Sequence, residues 1–355
     1  LAWVRESSTR RILCEHDAAG RLVRIQLPVS RGEGHYEHVR YTYDQHGDLV
    51  AVTDAGGASW TFESAGHLLT RETDREGLSF YFGYDGIGPD AWCVRTWGDG
   101  GIYDHEIVYD KTGRVTAVTN SRGETTIYKM NAVGLVTEVI DPFGATTRYE
   151  YDPRTLQKTA EIDPLGNVTR YAYDARGNRV RVETPDGAVT TFEHDERFLD
   201  SPVRAVDPNG SEGRWQYDRF GRMTARAHPF GHWTRYEYED GHLRRVTTPG
   251  GAVTELEYDD AGLVNRVVTP TGGELRLEHD RLGRIVKLVN LRGGVERRYY
   301  DAVGNLVRIE EPHGVVRHFA YDREQNLTRA ADGLRDVAFT YTGYHKLHER
   351  HEAGT

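Results

Sequence analysis

Along this chain hydrophobic and polar residues alternate in short runs. Thr147, Tyr149 and Tyr151 alternate with Arg148 and Glu150, and Thr169, Tyr171 and Tyr173 with Arg170 and Ala172. The same places hold Thr190, Phe192 and His194, then Thr234, Tyr236 and Tyr238. Period-two alternation with threonine and aromatics on one side predicts half-buried β-strands. A second kind of strand places apolar residues two and five positions after a glycine: Val115 and Val118, Val264 and Val267, Ile285 and Leu288, Leu306 and Ile309. A spacing of three breaks strand parity, so this strand carries a β-bulge or is partly covered on both faces. Almost no helix is expected.

Turn signals punctuate the strands at two fixed places. Asp141-Pro142-Phe143-Gly144 has Asp first, Pro second and Gly fourth, the preferences of a type I turn. Asp174-Ala175-Arg176-Gly177 suits the same turn. The Asp side chain can accept a backbone N–H within the turn, and the Gly tolerates positive φ where the chain leaves it.

These units recur. Tyr-Asp pairs stand at Tyr43-Asp44, Tyr84-Asp85, Tyr109-Asp110, Tyr151-Asp152, Tyr173-Asp174, Tyr217-Asp218, Tyr258-Asp259, Tyr300-Asp301 and Tyr321-Asp322, with Tyr103-Asp104 out of phase. His16-Asp17, Phe62-Glu63, His194-Asp195, Tyr238-Glu239 and His279-Asp280 fill the gaps. From Asp152 onward the acidic markers advance in steps of 20 to 23 residues. A second marker keeps register with them: Pro142, Pro164, Pro185, Pro208, Pro229, Pro249, Pro270 and Pro312, each followed two residues later by glycine, as at Gly144 and Gly166. The repeat at Leu291-Arg292-Gly293 lacks the proline. One array therefore occupies residues 1–355, degenerate over 1–140 and regular over 141–342. Residues 343–355 read as a connection into a further, truncated repeat.

About fifteen repeats of two strands each imply an all-β antiparallel sheet of about thirty strands. At ~4.8 Å per strand it would extend on the order of 140 Å. Open sheets rarely pass ~10 strands without curling, so a spiral shell or open arc is expected.

Composition sharpens this picture. Hydrophobic residues are 37% of the 355, with 39 Gly and 21 Tyr. So polar and yet so aromatic a chain suits a thin sheet with no single thick core, and it carries too many strand formers to be disordered. The net charge of −10 is spread along the chain, leaving no basic patch for nucleic acid. No apolar run approaches the ~20 residues of a membrane helix. Cys14 and Cys93 make no disulfide framework. Residues 1–11 do not resemble a signal peptide, and a first residue of Leu1 points to a processed chain or an excised piece.

Candidate chemistry is sparse. His345, His348 and His351 lack the i, i+4 spacing of a zinc hydrolase, and only a helical turn could bring imidazoles spaced by threes together. The Asp-Gly turns lack calcium-loop spacing. Asn167, Asn209 and Asn326 match the glycosylation pattern where turn and Thr positions meet an Asn. Trp60, Trp92, Trp97, Trp215 and Trp233 could stack on sugar rings if exposed, or fill Tyr-like ladder positions. The Gly-rich stretch 83–104 is expected to hold a longer loop. No catalytic, metal or cofactor residue is assigned; the Tyr-Asp, Pro and Gly markers are read as structural.

The unit Tyr-Asp-x-x-Gly, Asp-Pro-x-Gly, Thr-x-Tyr-x-Tyr-Asp resembles the YD repeat of the Rhs family, most clearly over residues 151–174. The resemblance spans the chain. Relatives include bacterial Rhs proteins, the shell component of Tc toxins, and teneurins, and residues 341–352 look like bacterial Rhs core. In bacterial members it implies a hollow wall enclosing a C-terminal toxin domain. It also implies a PAAR/VgrG secretion spike and a chaperone as partners, with synthesis in the bacterial cytoplasm and type VI delivery to competitors. The self-cleavage region and the toxin domain of the family have no counterpart in these repeats, so no enzyme activity is expected. An extracellular adhesion or carbohydrate-binding module is the alternative.

Overall fold

The computed structural model describes residues 3–5, 11–29, 33–342 and 346–353. Among them are thirty-three strands in one sheet and one turn of 3₁₀ helix, Asp99–Gly101. The ladders join strands consecutive in the chain, and they are antiparallel. Two compact units partition it: Leu1–Ile102 with Leu256–Thr355, and Tyr103–Glu255. In both, buried apolar side chains are few: Val29, Ala160, Ala225, Ala227 and Val337. The expectation of a thin sheet without a thick core is met.

Each turn forms as its residues dictate. In the Asp141 turn Gly144 N–H donates to the Asp141 carbonyl at 3.0 Å, and Asp141 N–H donates to that of Ala145 at 2.9 Å. Asp141 Oδ1 accepts the N–H groups of Phe143 and Ala145 at 2.9 and 2.8 Å. Gly144 sits at φ +85°, where a side chain would be strained. This is a type I turn closed by a left-handed residue, whose twist suits a three-residue hairpin loop. The Asp174 turn repeats it, with Oδ1 accepting Arg176 and Asn178 N–H.

The odd apolar spacing has its cause in a bulge. Opposite Tyr151 the register shifts: Glu150 faces Ala160, but Tyr151 faces Lys158. The same shift occurs where Tyr300 faces Leu306 and Tyr299 faces Arg308. One residue, Val307, is therefore extra, and Leu306 and Ile309 return to one face.

The stretch 83–104 carries the expected loop, between strands Ser79–Tyr84 and Cys93–Gly98. A second long connection, between strands Val189–His194 and Pro202–Val206, is not signalled by the repeat. Lys346–Ala353 forms a strand paired along its length with Asp336–Thr342.

Candidate functional site

The tyrosines of the repeat bind each hairpin to the one before. Tyr151 Oη donates to the Val136 carbonyl at 2.8 Å, and Tyr173 Oη to that of Lys158 at 2.9 Å. Tyr84, Tyr217, Tyr238, Tyr300 and Tyr321 do the same to Leu69, Pro202, Met223, Ile285 and Leu306, each fifteen residues upstream. Tyr43 reaches Leu22 and Tyr341 reaches Leu327. Each acceptor sits at the bulge, opposite the first residue past the register shift: Lys158 faces Tyr151, Pro202 faces His194, Leu306 faces Tyr300, Leu69 faces Ser64 and Val136 faces Met130. The bulge takes a carbonyl out of the ladder, and a half-buried carbonyl without a partner is costly. The next tyrosine supplies its donor. Sequence reasoning assigned these tyrosines an aromatic role and missed the hydroxyl, because its acceptor is defined only by strand register.

Asp44, Asp152, Asp174, Asp218, Asp259, Asp301 and Asp322 open turns and accept backbone N–H groups through Oδ1. Asp110 accepts Thr112 and Gly113 N–H at an exposed strand end, with Tyr109 half-buried beside it. Tyr258 is half-buried at the end of Val253–Tyr258. Pro142, Gly144, Pro164 and Gly166 are exposed at the opposite edge of the sheet.

Tyr151→Phe is expected to destabilise its hairpin pair by about 1 kcal/mol, the worth of one hydrogen bond. His194 stands in a tyrosine position with Nδ1 buried and unpartnered. His194→Tyr would place a hydroxyl toward the Arg179 carbonyl, fifteen residues upstream and at the bulge facing Tyr173. It is expected to stabilise by about 1 kcal/mol. Urea midpoints of the two variants should move in opposite directions.

The two faces differ chemically. One carries cross-strand charge rows: Lys129 Nζ lies 2.6 Å from Glu138, which lies 3.1 Å from Arg148. Arg204 pairs with Glu193 at 2.7 Å and also with Glu212, which meets Arg214 at 3.1 Å. Arg266 and then Arg276 hold the Glu274 carboxyl down at about 2. Such exposed pairs contribute little individually; their regular alternation keeps this face solvated. The other face is lined by half-buried threonine and tyrosine, with Lys158 Nζ 5.3 and 5.2 Å from the Tyr149 and Tyr171 rings.

No group of three His, Cys, Asp or Glu side chains that could hold a metal ion assembles among the described residues. His345 lies outside them. His348 and His351 are on a strand, not a helical turn, and their Nε2 atoms lie 3.7 and 2.8 Å from the Glu349 carboxylate without forming a metal-binding group. The sugar platform is not built either: Trp92 is exposed, whereas Trp60, Trp97, Trp215 and Trp233 are half-buried. Trp97 stacks on Tyr81 at 5.4 Å, a ladder role. Asn167 and Asn326 spend their side-chain amides on Asp163 and Asp322 within their turns. Cys14 and Cys93 are not joined in a disulfide. No helix among the described residues is long and apolar enough to cross a membrane.

Comparison with known proteins agrees with this geometry. The RHS Repeat family matches residues 16–59, 43–79, 131–166 and 157–189, and the Teneurin YD-shell family matches 204–353. Toxin protein Tse5 of Pseudomonas aeruginosa is 28% identical over 204 residues, covering 55% of this chain and 15% of that protein. Two crystal structures of TcdB2-TccC3 align over 97% of this chain and 22% of theirs, at 16 and 17% identity and TM-scores of 0.60 and 0.59. The chain thus spans a small part of its relatives. With tyrosine-linked hairpins along its length and these matches over both halves, the chain belongs to the YD-repeat family of Rhs and teneurin shell proteins.

Proposed function

We propose that this chain is a length of non-catalytic wall in an Rhs-type toxin, surrounding a C-terminal toxic domain until it reaches a competitor cell. What carries the reading is the sheet itself. It runs through the described chain without a thick core, and its fold matches TcdB2-TccC3 across 97% of its length. Such a sheet gains stability from nearest-neighbour links and can be extended indefinitely, which suits a container. The similarity to a protein named as a toxin favours that cargo. By the same reading the parent protein is made in the bacterial cytoplasm with the help of a chaperone and delivered by type VI secretion on a PAAR/VgrG spike.

The test is limited proteolysis of the full-length parent protein. The C-terminal domain should resist cleavage until the wall is unfolded by denaturant. Ready digestion of that domain beside an intact wall would overturn the proposal.

A further inference from the structure

The motif Asp-Arg-Glu occurs at two turns of the chain, Asp74-Arg75-Glu76 and Asp322-Arg323-Glu324. Both belong to the unit formed by Leu1–Ile102 and Leu256–Thr355, and they touch. Arg75 N–H donates to Glu324 Oε1 at 2.5 Å, and Arg323 N–H donates to Glu76 Oε1 at 2.6 Å. Each turn thus gives its second N–H to the glutamate of the other. The Arg75 guanidinium adds Asp54 at 3.2 Å and Glu324 at 3.6 Å, and the Glu324 side chain is only 6% exposed. One repeat along, the Asp54 and Asp301 turns also meet. A Cβ placed on Gly56 would lie 2.6 Å from Val303 Cγ1, so a larger residue fits there only if the Val303 side chain gives way.

Turn chemistry explains why the second N–H is available. Within the Asp74 turn, Oδ1 takes the N–H of Glu76 and Leu78, and the Asp74 carbonyl takes that of Gly77. The N–H of the second residue points off the edge and has no acceptor in its own turn. Eight turns on the same edge carry proline there, from Pro142 to Pro312, and present no such donor. The Asp54 and Asp74 turns carry Ala55 and Arg75 instead. Spacing also matches: Asp54 and Asp74 are 20 residues apart, and Asp301 and Asp322 are 21, so two successive turns of one edge face two of the other.

We propose that the two Asp-Arg-Glu turns are a reciprocal latch that registers one edge of the sheet against the opposite edge of a stretch about 250 residues later. The latch concerns the wall alone and holds whatever the wall encloses.

Engineered cross-linking of the 355-residue chain tests this. Gly56→Cys with Val303→Cys, in a Cys14→Ser, Cys93→Ser background, should form a disulfide, because the two Cβ positions lie 4.0 Å apart, within the usual ~3.5–4.5 Å. A shifted band on a non-reducing gel would report it; no shift under oxidising conditions overturns the edge contact. Adding Arg75→Pro and Arg323→Pro deletes both donors at a position where type I turns favour proline. Loss of two hydrogen bonds to charged acceptors should slow disulfide formation about ten-fold or more. Ala175→Pro, the same change in a turn of the other unit, should leave the rate unchanged. Equal rates with and without the Arg→Pro pair overturn the latch, as does equal slowing by Ala175→Pro.

Discussion

Asn178→Ala is expected to destabilise the second unit by about 2–4 kcal/mol, the combined cost of two lost hydrogen bonds, an orphaned buried donor and a small cavity. Asn178 is the largest fully buried side chain among the described residues. Its Nδ2 donates to Asp174 Oδ2 at 2.9 Å, and its Oδ1 accepts Asp200 N–H at 3.0 Å. The first bond stiffens the turn. The second anchors the long connection between Val189–His194 and Pro202–Val206, in which Asp200 is held at φ +54°. Arg176 clamps the same connection through the carbonyls of Asp195 and Glu196, at 3.0 and 2.6 Å. With Asn178 gone, the left-handed Asp200 loses the acceptor of its own N–H, and such strain persists only where surroundings over-determine it. Because repeat arrays lose stability locally, the check is site-resolved. Hydrogen exchange at Asp200 and the 195–201 amides should accelerate strongly, and amides beyond neighbouring hairpins should not. Asn178→Asp would place a carboxylate against Asp174 and be worse than Ala at neutral pH. Unchanged exchange at Asp200 in both variants would contradict this role.

What could be read from the sequence was whatever one repeat determines by itself. Alternation located strands, Asp and Gly located turns, and the three-residue spacing of Leu306 and Ile309 announced the bulge. Each of these is settled within about ten residues by backbone sterics and local hydrogen bonds. What escaped depends on register. The acceptor of Tyr151 Oη is one hairpin away and becomes definite only once the bulge carbonyl at Val136 is placed. Asn178 reads like any turn residue, yet it alone in its row sits beneath a long connection. The meeting of Arg75 with Glu324 spans 249 residues, beyond any local pattern, although the repeated Asp-Arg-Glu motif was in plain view. The histidines carry no metal assignment in the sequence, and the repeat continues as strand through His348 and His351. The tryptophans were weighed as exposed, and the ladder half-covers four of the five.

Acid should unfold the array steeply between about pH 4 and pH 2, with net proton uptake. The turn aspartates explain the sign. The Arg21 N–H at Asp17, the Thr155 N–H at Asp152 and the Leu334 N–H at Asp332 hold those carboxyls below their ordinary range. The side-chain amides of Asn167 and Asn178 do so at Asp163 and Asp174, and the Arg197 guanidinium holds Asp195 at about 2. A folded-state pKa below the unfolded value contributes stability that is complete above the unfolded pKa, about 3.9 for aspartate. It is lost as pH falls through the folded value, because the unfolded chain then binds more protons. One such group tilts the curve gently; the turns of Asp17, Asp152, Asp163, Asp174, Asp195 and Asp332 sum their tilts, so the acid limb should be steeper than one such group alone would give. The repeat supplies its own control. Asn120, Asn131 and Asn290 open turns with the same Oδ1 acceptances and cannot titrate. Asp152→Asn, whose carboxylate bonds are to backbone N–H groups, should therefore fold normally at pH 7 and reduce proton uptake on acid unfolding by up to one proton. Urea midpoints measured across pH 7 to 2 give the slope, and a flat profile below pH 4 would show that the turn carboxylates are not what acid attacks.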